Sequence, residues 1–258
     1  MGQLSGRSIR TFVLRQGRLT EGQQRSLDEH WSNLGIDVTA GDEVPAQANV
    51  KSTAEQHSDA VEIIRDESPR VDRIDLDRHF ESTAPVWMEI GIGNGDALVH
   101  MAAANPSVNF LGVEVHLPGI GHALGEVANA GLGNVRLIRY DVLDLIEHCL
   151  MPDCIDRVLI FFPDPWHKTR HHKRRLVNVR FLDMIASLLR PGGIIHFASD
   201  WVPYAKQVKL LVQEHSLFEL VAEGEGAENI IELRPETHFE RRGLRLGHRV
   251  TDLVIRKI

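Results

Sequence analysis

Two cysteines in 258 residues, Cys149 and Cys154, are too few for a disulfide framework or a thiolate zinc centre, and both read as packing residues. No stretch approaches the roughly 20 consecutive apolar residues of a membrane helix. The opening MGQLSGRSIR lacks the apolar core of a secretion signal, and Gly6 stands where a myristoylation signal wants Ser or Thr. A cytoplasmic protein that keeps its N-terminus, with no membrane partner, is expected. With 43% hydrophobic and 25% charged residues, the composition excludes a disordered or fibrous chain. The length suits one large α/β domain with an appendage, or two small domains.

The net charge of −7 would argue against a polyanionic partner if it were spread evenly. It is not. Residues 36–85 hold twelve acids against five bases, which accounts for the whole acidic excess. Residues 7–25 carry Arg7, Arg10, Arg15, Arg18 and Arg25 against the single acid Glu21. These features divide the chain into a basic arm over 1–35, an acidic linker or insert over 36–85, expected to be partly disordered, and a patterned region over 86–258.

In that last region short apolar runs alternate with helical patterns. The runs VWMEIG (86–91), NFLGVEV (109–115), VRLIRY (135–140), RVLIFF (157–162) and GIIHFAS (193–199) read as strands. Helices are expected near 95–104, 119–131, 174–190 and 201–215, the third ended by Pro191, Gly192 and Gly193. Two further strands, 218–224 and 249–257, come after the alternation has ceased. Five parallel strands followed by a strand pair is the layout of the Rossmann-like class I methyltransferases: a seven-stranded, mostly parallel sheet with helices on both faces.

Candidate cofactor residues sit at strand ends. The first strand runs into Glu89-Ile90-Gly91-Ile92-Gly93-Asn94-Gly95 and then a helix, a turn where a ligand approaches the backbone closely. A dinucleotide loop wants a third glycine where Asp96 stands, so the spacing favours S-adenosylmethionine over NAD. Glu114 ends the second strand, where a carboxylate can accept from a ribose diol, and Asp141 follows the third. Asp141 reads equally as a helix cap.

The most informative stretch is FFPDPWHKTRHHKRR, residues 161–175. Pro163 and Pro165 bracket Asp164 and stiffen a loop at the end of the fourth strand, where this architecture holds groups that act on the methyl acceptor. Lys168, Arg170, Lys173, Arg174 and Arg175 follow, interleaved with His167, His171 and His172, and no acid occurs until Asp183. Such a run is most often a solvated face; beside an active site it suits a polyanion. No cysteine or HExxH pattern supports zinc, and no metal is expected. Trp166 reads either as a stacking platform for a base or as a packing anchor.

With these blocks in view, the sequence resembles the bacterial tRNA (guanine-N7)-methyltransferase family. The resemblance rests on IRTFVLRQGRLT, EIGIGNG, FLGVEVHLPGIG, FFPDPWHKTRHHKRR, the pair Ser199 and Asp200, and ETHFERRGLRLGH. It implies methyl transfer from S-adenosylmethionine to N7 of a variable-loop guanosine of tRNA, position 46. Glu89, Gly91, Gly93, Gly95, Glu114 and Asp141 would hold the cofactor, with Asp164 at the junction of cofactor and guanine and catalytic. Lys168 and Asp200 would contact the substrate, and Thr237, His238, Phe239 and Glu240 would complete the guanine pocket. Arg170, His171, His172, Lys173, Arg174 and Arg175 would meet RNA. By charge alone, the arginines of the arm, of this run and of the tail, Arg234, Arg241, Arg242, Arg245 and Arg249, are expected to grip phosphates. No obligate protein partner is implied. The acidic segment is longer than the family pattern.

Three other readings stay open at this stage. An exocyclic-amine methyltransferase pairs Asp or Asn with two consecutive prolines, and Pro163-Asp164-Pro165-Trp166 lacks the second. A noncatalytic RNA-binding module could keep the fold, although the glycine loop and its acids are intact. An NAD-dependent dehydrogenase is disfavoured by the glycine spacing.

Overall fold

A computed structural model describes residues 11–12, 18–38, 73–224, 234–235, 240 and 249–258. Seven strands form one sheet in the order β3-β2-β1-β4-β5-β7-β6. They are β1 (Val86–Ile90), β2 (Asn109–Glu114), β3 (Val135–Arg139), β4 (Ile155–Phe161), β5 (Leu189–Ser199), β6 (Phe218–Glu223) and β7 (Thr251–Lys257). Strands β1 to β5 are parallel, and β7 runs antiparallel to both β5 and β6. Every residue of β1 is buried, as a central parallel strand covered on both faces requires.

Alternate strand residues feed two cores. Met88, Ile90, Leu111, Val158 and Ile160 pack with Phe181 of α5 (Val179–Leu188) and with Tyr204 and Val208 of α6 (Val202–Glu214). On the opposite face Trp87, Phe110, Leu137, Leu159 and Phe161 meet Leu98 and Met101 of α2 (Asp96–Ala104) and Ile120 and Leu124 of α3 (Leu117–Asn129). At about 25 cal/mol per Å² of apolar area removed from water, these two layers are the main source of stability.

The second half of the basic arm is not a free arm. Thr20 caps α1 (Glu21–Leu34) with a reciprocal capping box to Gln23. Leu27, Trp31 and Leu34 of α1 lie on the α2–α3 core. A Cβ at Gly121 of α3 would come within 2.9 Å of the Gln23 carbonyl oxygen, so the close approach of α1 needs glycine there. After α1, the Ile36 amide donates to the Leu137 carbonyl at 2.9 Å, which ties this segment to the free edge of β3.

The described residues of the acidic segment also join the domain: Leu76 and Phe80 are buried in the core, and Ile74 bridges to Leu150. Residues 39–72 lie outside the described residues, so the expectation of disorder falls there. The helix expected over 174–190 is shorter, because Thr169–Arg174 forms a 3-10 turn and Asn178 caps α5 through the Phe181 amide. Pro191, Gly192 and Gly193 do not end that helix. It stops at Leu188, and the three residues make a bulge inside β5, where the register jumps from Ile155↔Leu189 to Arg157↔Ile194. A short helix, α4 (Val142–Asp144), follows β3 and runs into a π turn, Leu145–Cys149.

Candidate active site

The carboxyl ends of β1 and β4 mark the switch point of the strand order, where an open α/β sheet leaves a crevice. Gly91, Gly93 and Gly95 all have positive φ, 75°, 57° and 87°, in the turn from β1 to α2. A Cβ at Gly91 or Gly93 would meet nothing within 4 Å, so one side of the loop is open, whereas at Gly95 it would strike Ala123. Gly119 closes the other side, since a Cβ there would lie 2.3 Å from the Gly93 carbonyl oxygen.

Glu89 is buried on β1 beneath this loop. Burial first, then the nearby charges of Asp96 and Glu114, push its carboxyl up to about 8. Its Oε2 has no hydrogen-bond partner among the described residues. A buried acid whose Oε2 lacks a partner among the described residues suits a hydrogen-donating or cationic group, whose charge would favour the ionised carboxylate; the ammonium of S-adenosylmethionine is such a group. Glu114, at the end of β2, accepts from the Gly93 amide at 3.0 Å through Oε2, and from Val115 and His116 at 2.7 and 2.9 Å through Oε1. It therefore fixes the glycine loop as well as facing the crevice. Asp141 follows β3 and caps α4, accepting from the Leu143 amide at 2.9 Å, as the capping alternative describes.

Asp164 is exposed on the turn after β4. That turn is bounded by two non-glycine residues in the left-handed region, Phe162 at φ 52° and Trp166 at φ 44°. Such conformations cost roughly 1–3 kcal/mol each and persist only when the surroundings hold them. Here the Phe162 amide donates to Ala198 at 2.8 Å and the Trp166 indole donates to the Thr11 carbonyl at 3.1 Å. The Arg174 guanidinium lies 3.6 Å from the Trp166 ring centre and donates to the Phe12 carbonyl at 3.2 Å. Trp166 is thus an anchor, its indole tied to the N-terminal arm and one ring face covered.

The basic run divides. Lys168, Arg170 and Lys173 are exposed, and His171, His172 and Arg174 half-buried. Desolvation first, then the neighbouring charges of Arg170, Arg174, Lys168 and Lys173, hold His171 below its ordinary value. Arg175 departs from the expectation of an RNA contact: it is 2% exposed, held inside because Leu176 and Val177, next in sequence, enter the core.

Asp200 stands at the carboxyl end of β5, next to Ser199, whose hydroxyl accepts from the Trp201 amide. Thr237, His238 and Phe239 lie outside the described residues, as do Arg241, Arg242 and Arg245. Glu240 is described, paired with Arg234. Arg234 is also not a free phosphate grip: it bonds both Asp252 oxygens, at 2.9 and 3.1 Å, with only 6% of its side chain exposed. Asp252 completes a chain to buried His196 at 2.7 Å. Burial raises Asp252, but the bonds from His196 and Arg234 outweigh it and hold the carboxyl below its ordinary value. The sequence reading passed over His196 and Asp252, which lie diagonally across an antiparallel ladder, His196 opposite Val254 and Asp252 opposite Ala198, that only the β5–β7 pairing reveals. Among the described residues no cluster could hold a metal ion, and no helix is long and apolar enough to cross a membrane.

Strand order, glycine loop and buried acid together define a class I, S-adenosylmethionine-dependent methyltransferase. A family model described as "Putative methyltransferase" matches residues 83–253. The tRNA (guanine-N(7)-)-methyltransferase of Halorhodospira halophila is 42% identical over 250 residues, covering 97% of this chain and 95% of that protein. The enzyme of the same name from Pseudomonas aeruginosa is 40% identical, covering 98% and 91%. The chain belongs to the tRNA (guanine-N(7)-)-methyltransferase family. In fold it is similar to the crystal structure of the 16S rRNA methyltransferase KamB, with a TM-score of 0.53 at 16% identity, covering 73% of this chain and 96% of that one.

Proposed function

We propose that this chain methylates N7 of a guanine in tRNA, the variable-loop guanosine at position 46, in the cytoplasm. The observation that carries the reading is the placement of Asp164: an exposed carboxylate on a strained turn at the end of β4, directly beside the strand that bears the glycine loop. S-adenosylmethionine supplies, when bound, a methyl group on a positively charged sulfur. Glu89, Gly91, Gly93, Gly95, Glu114 and Asp141 form its pocket. The other work falls to side chains that receive the guanine.

Guanine N7 carries an exposed lone pair and needs no deprotonation before it attacks. Holding nucleophile and methyl in line can lower the barrier by about 7–11 kcal/mol, so positioning supplies most of the acceleration. Alkylation leaves positive charge on the purine. Asp164 faces that charge and stabilises it without accepting a proton. Asp200 and Lys168 contact the substrate from the ends of β5 and the β4 turn, and Thr237, His238, Phe239 and Glu240 close the guanine pocket. Glu240 is held by Arg234, which orients its carboxylate toward a fixed direction. The exposed Lys168, Arg170 and Lys173, together with the half-buried His171, His172 and Arg174, supply a basic surface for the phosphate backbone.

The test is Asp164→Asn under single-turnover conditions. A large fall in the methylation rate with intact tRNA binding supports the reading; a rate equal to the unaltered protein removes Asp164 from the chemistry.

A further inference from the structure

The last residue of the basic run has a different job from the others. Arg175 is buried, yet among the described residues no carboxylate pairs with it; its bonds go to a backbone carbonyl and an amide side chain. Nε donates to the Pro165 carbonyl at 2.9 Å, and one terminal nitrogen donates to Gln207 Oε1 on α6. The guanidinium plane sits 4.8 Å from the ring centre of Tyr204, one turn earlier on the same helix. Two residues on, the Val177 amide donates to the Tyr204 hydroxyl at 3.0 Å, so the chain on both sides of Leu176 is fastened to α6. Burial lowers the pKa of Arg175, but a guanidinium stays charged at any working pH.

Pro165 lies between Asp164 and Trp166, whose φ of 44° is a conformation the loop would not hold unaided. Neither Pro163 nor Pro165 has an amide hydrogen with which to fasten the turn. The Pro165 carbonyl is therefore one of the few handles available, and Arg175 holds it. Burial raises the pKa of the Tyr204 hydroxyl, the nearby Arg175 charge opposes that rise, and the Asp164 charge adds to it.

We propose that Arg175 is a positioning residue for the reaction: it clamps the Asp164 turn to α6 and takes no part in gripping RNA. The proposal rests on the reading of Asp164 given above. A lysine cannot replace it, because one ammonium lacks the planar fork that reaches Pro165 and Gln207 together while lying on Tyr204.

Three variants test this: Arg175→Lys, Gln207→Ala and Asp164→Asn, with Asp164→Asn/Gln207→Ala as the double. The readouts are single-turnover rate, tRNA dissociation constant with its salt slope, and S-adenosylmethionine affinity. Displacing a reacting group by about 1 Å can cost around 100-fold, so Arg175→Lys is expected to slow turnover by roughly 10- to 100-fold with tRNA affinity and salt slope unchanged. Gln207→Ala, which keeps the buried guanidinium and so tolerates a failure of Arg175→Lys to fold, is expected to slow it several-fold. Once Asp164 is Asn, Gln207→Ala is expected to cost little more, since the two act on one group. Weakened tRNA binding with a shallower salt slope and an unaltered rate overturns the proposal, as does an unaltered rate in Gln207→Ala. If Asp164→Asn itself keeps full rate, the reading of Asp164 fails. If only Asp164→Asn is slow, that reading stands and the clamp fails.

Discussion

The Gly93 amide and the Glu114 carboxylate meet at 3.0 Å, joining the loop after β1 to the carboxyl end of the neighbouring strand β2. This bond makes Glu114 part of the loop's own architecture. The opposite wall is Gly119, where any side chain would strike the Gly93 carbonyl. Gly119→Ala is therefore expected to displace the loop and weaken S-adenosylmethionine binding by at least about tenfold, around 1.4 kcal/mol in binding free energy. Gly133→Ala, at a position with open space and no positive φ, serves as the control and is expected to bind normally. Calorimetric titration decides; equal affinity in both variants contradicts the loop geometry.

Glu89 predicts a pH dependence of stability in the ligand-free protein. Its carboxyl is raised from 4.5 to about 8 in the folded state, mainly by burial. Between those values the folded state holds a proton that the unfolded state has released, so stability falls as pH rises through the window and levels above it. Glu89→Gln removes the titration. Urea unfolding from about pH 5 to about pH 8 is expected to show a decline in the unaltered protein that the variant lacks. Parallel curves would mean that Glu89 is ionised in the folded state.

Arg234 and Asp252 form a partly buried pair with two bonds. Breaking such a pair by removing one partner costs about 3–5 kcal/mol, because a desolvated charge is left behind. Because Glu240 still pairs with Arg234, Asp252→Ala is expected to lower the unfolding free energy by less than that, about 1–3 kcal/mol, and Arg234→Ala to leave the salt slope of tRNA binding unchanged. A slope that falls by about 0.7–0.9, the contribution of one phosphate contact, would return Arg234 to the RNA surface.

The exposed members of the basic run behave oppositely. Charge reversal at Arg170 and Lys173 is expected to weaken tRNA binding and flatten its salt dependence by about 0.7–0.9 log units for each phosphate lost, with S-adenosylmethionine affinity unaltered. Filter binding across a salt series checks this. Unaltered binding removes the run from the interface.

Much of the fold could be read before the structure. Continuous apolar runs such as VWMEI and RVLIFF mark parallel strands, and glycines at alternate positions mark the loop after β1. The errors have physical causes. Pro191-Gly192-Gly193 looks like a helix stop, but a bulge tolerates the same residues, and only pairing with β4 distinguishes the two. The helix α1 hides in a mostly polar stretch, EGQQRSLDEHWSNL, because its three contact residues, Leu27, Trp31 and Leu34, form a stripe too narrow to announce a buried face. At the site, strand-end acids are visible from spacing, whereas Arg175 and Arg234 carry a charge that suggests solvent. Burial of a cation is set by partners distant in sequence, here Gln207 and Tyr204 for one and Asp252 for the other.

The most direct measurement is incubation of the purified protein with an unmodified tRNA transcript and methyl-labelled S-adenosylmethionine, followed by nucleoside analysis. The account predicts label in 7-methylguanosine at a single variable-loop position. Label in an exocyclic-amine product, or RNA bound with no label transferred, would contradict it.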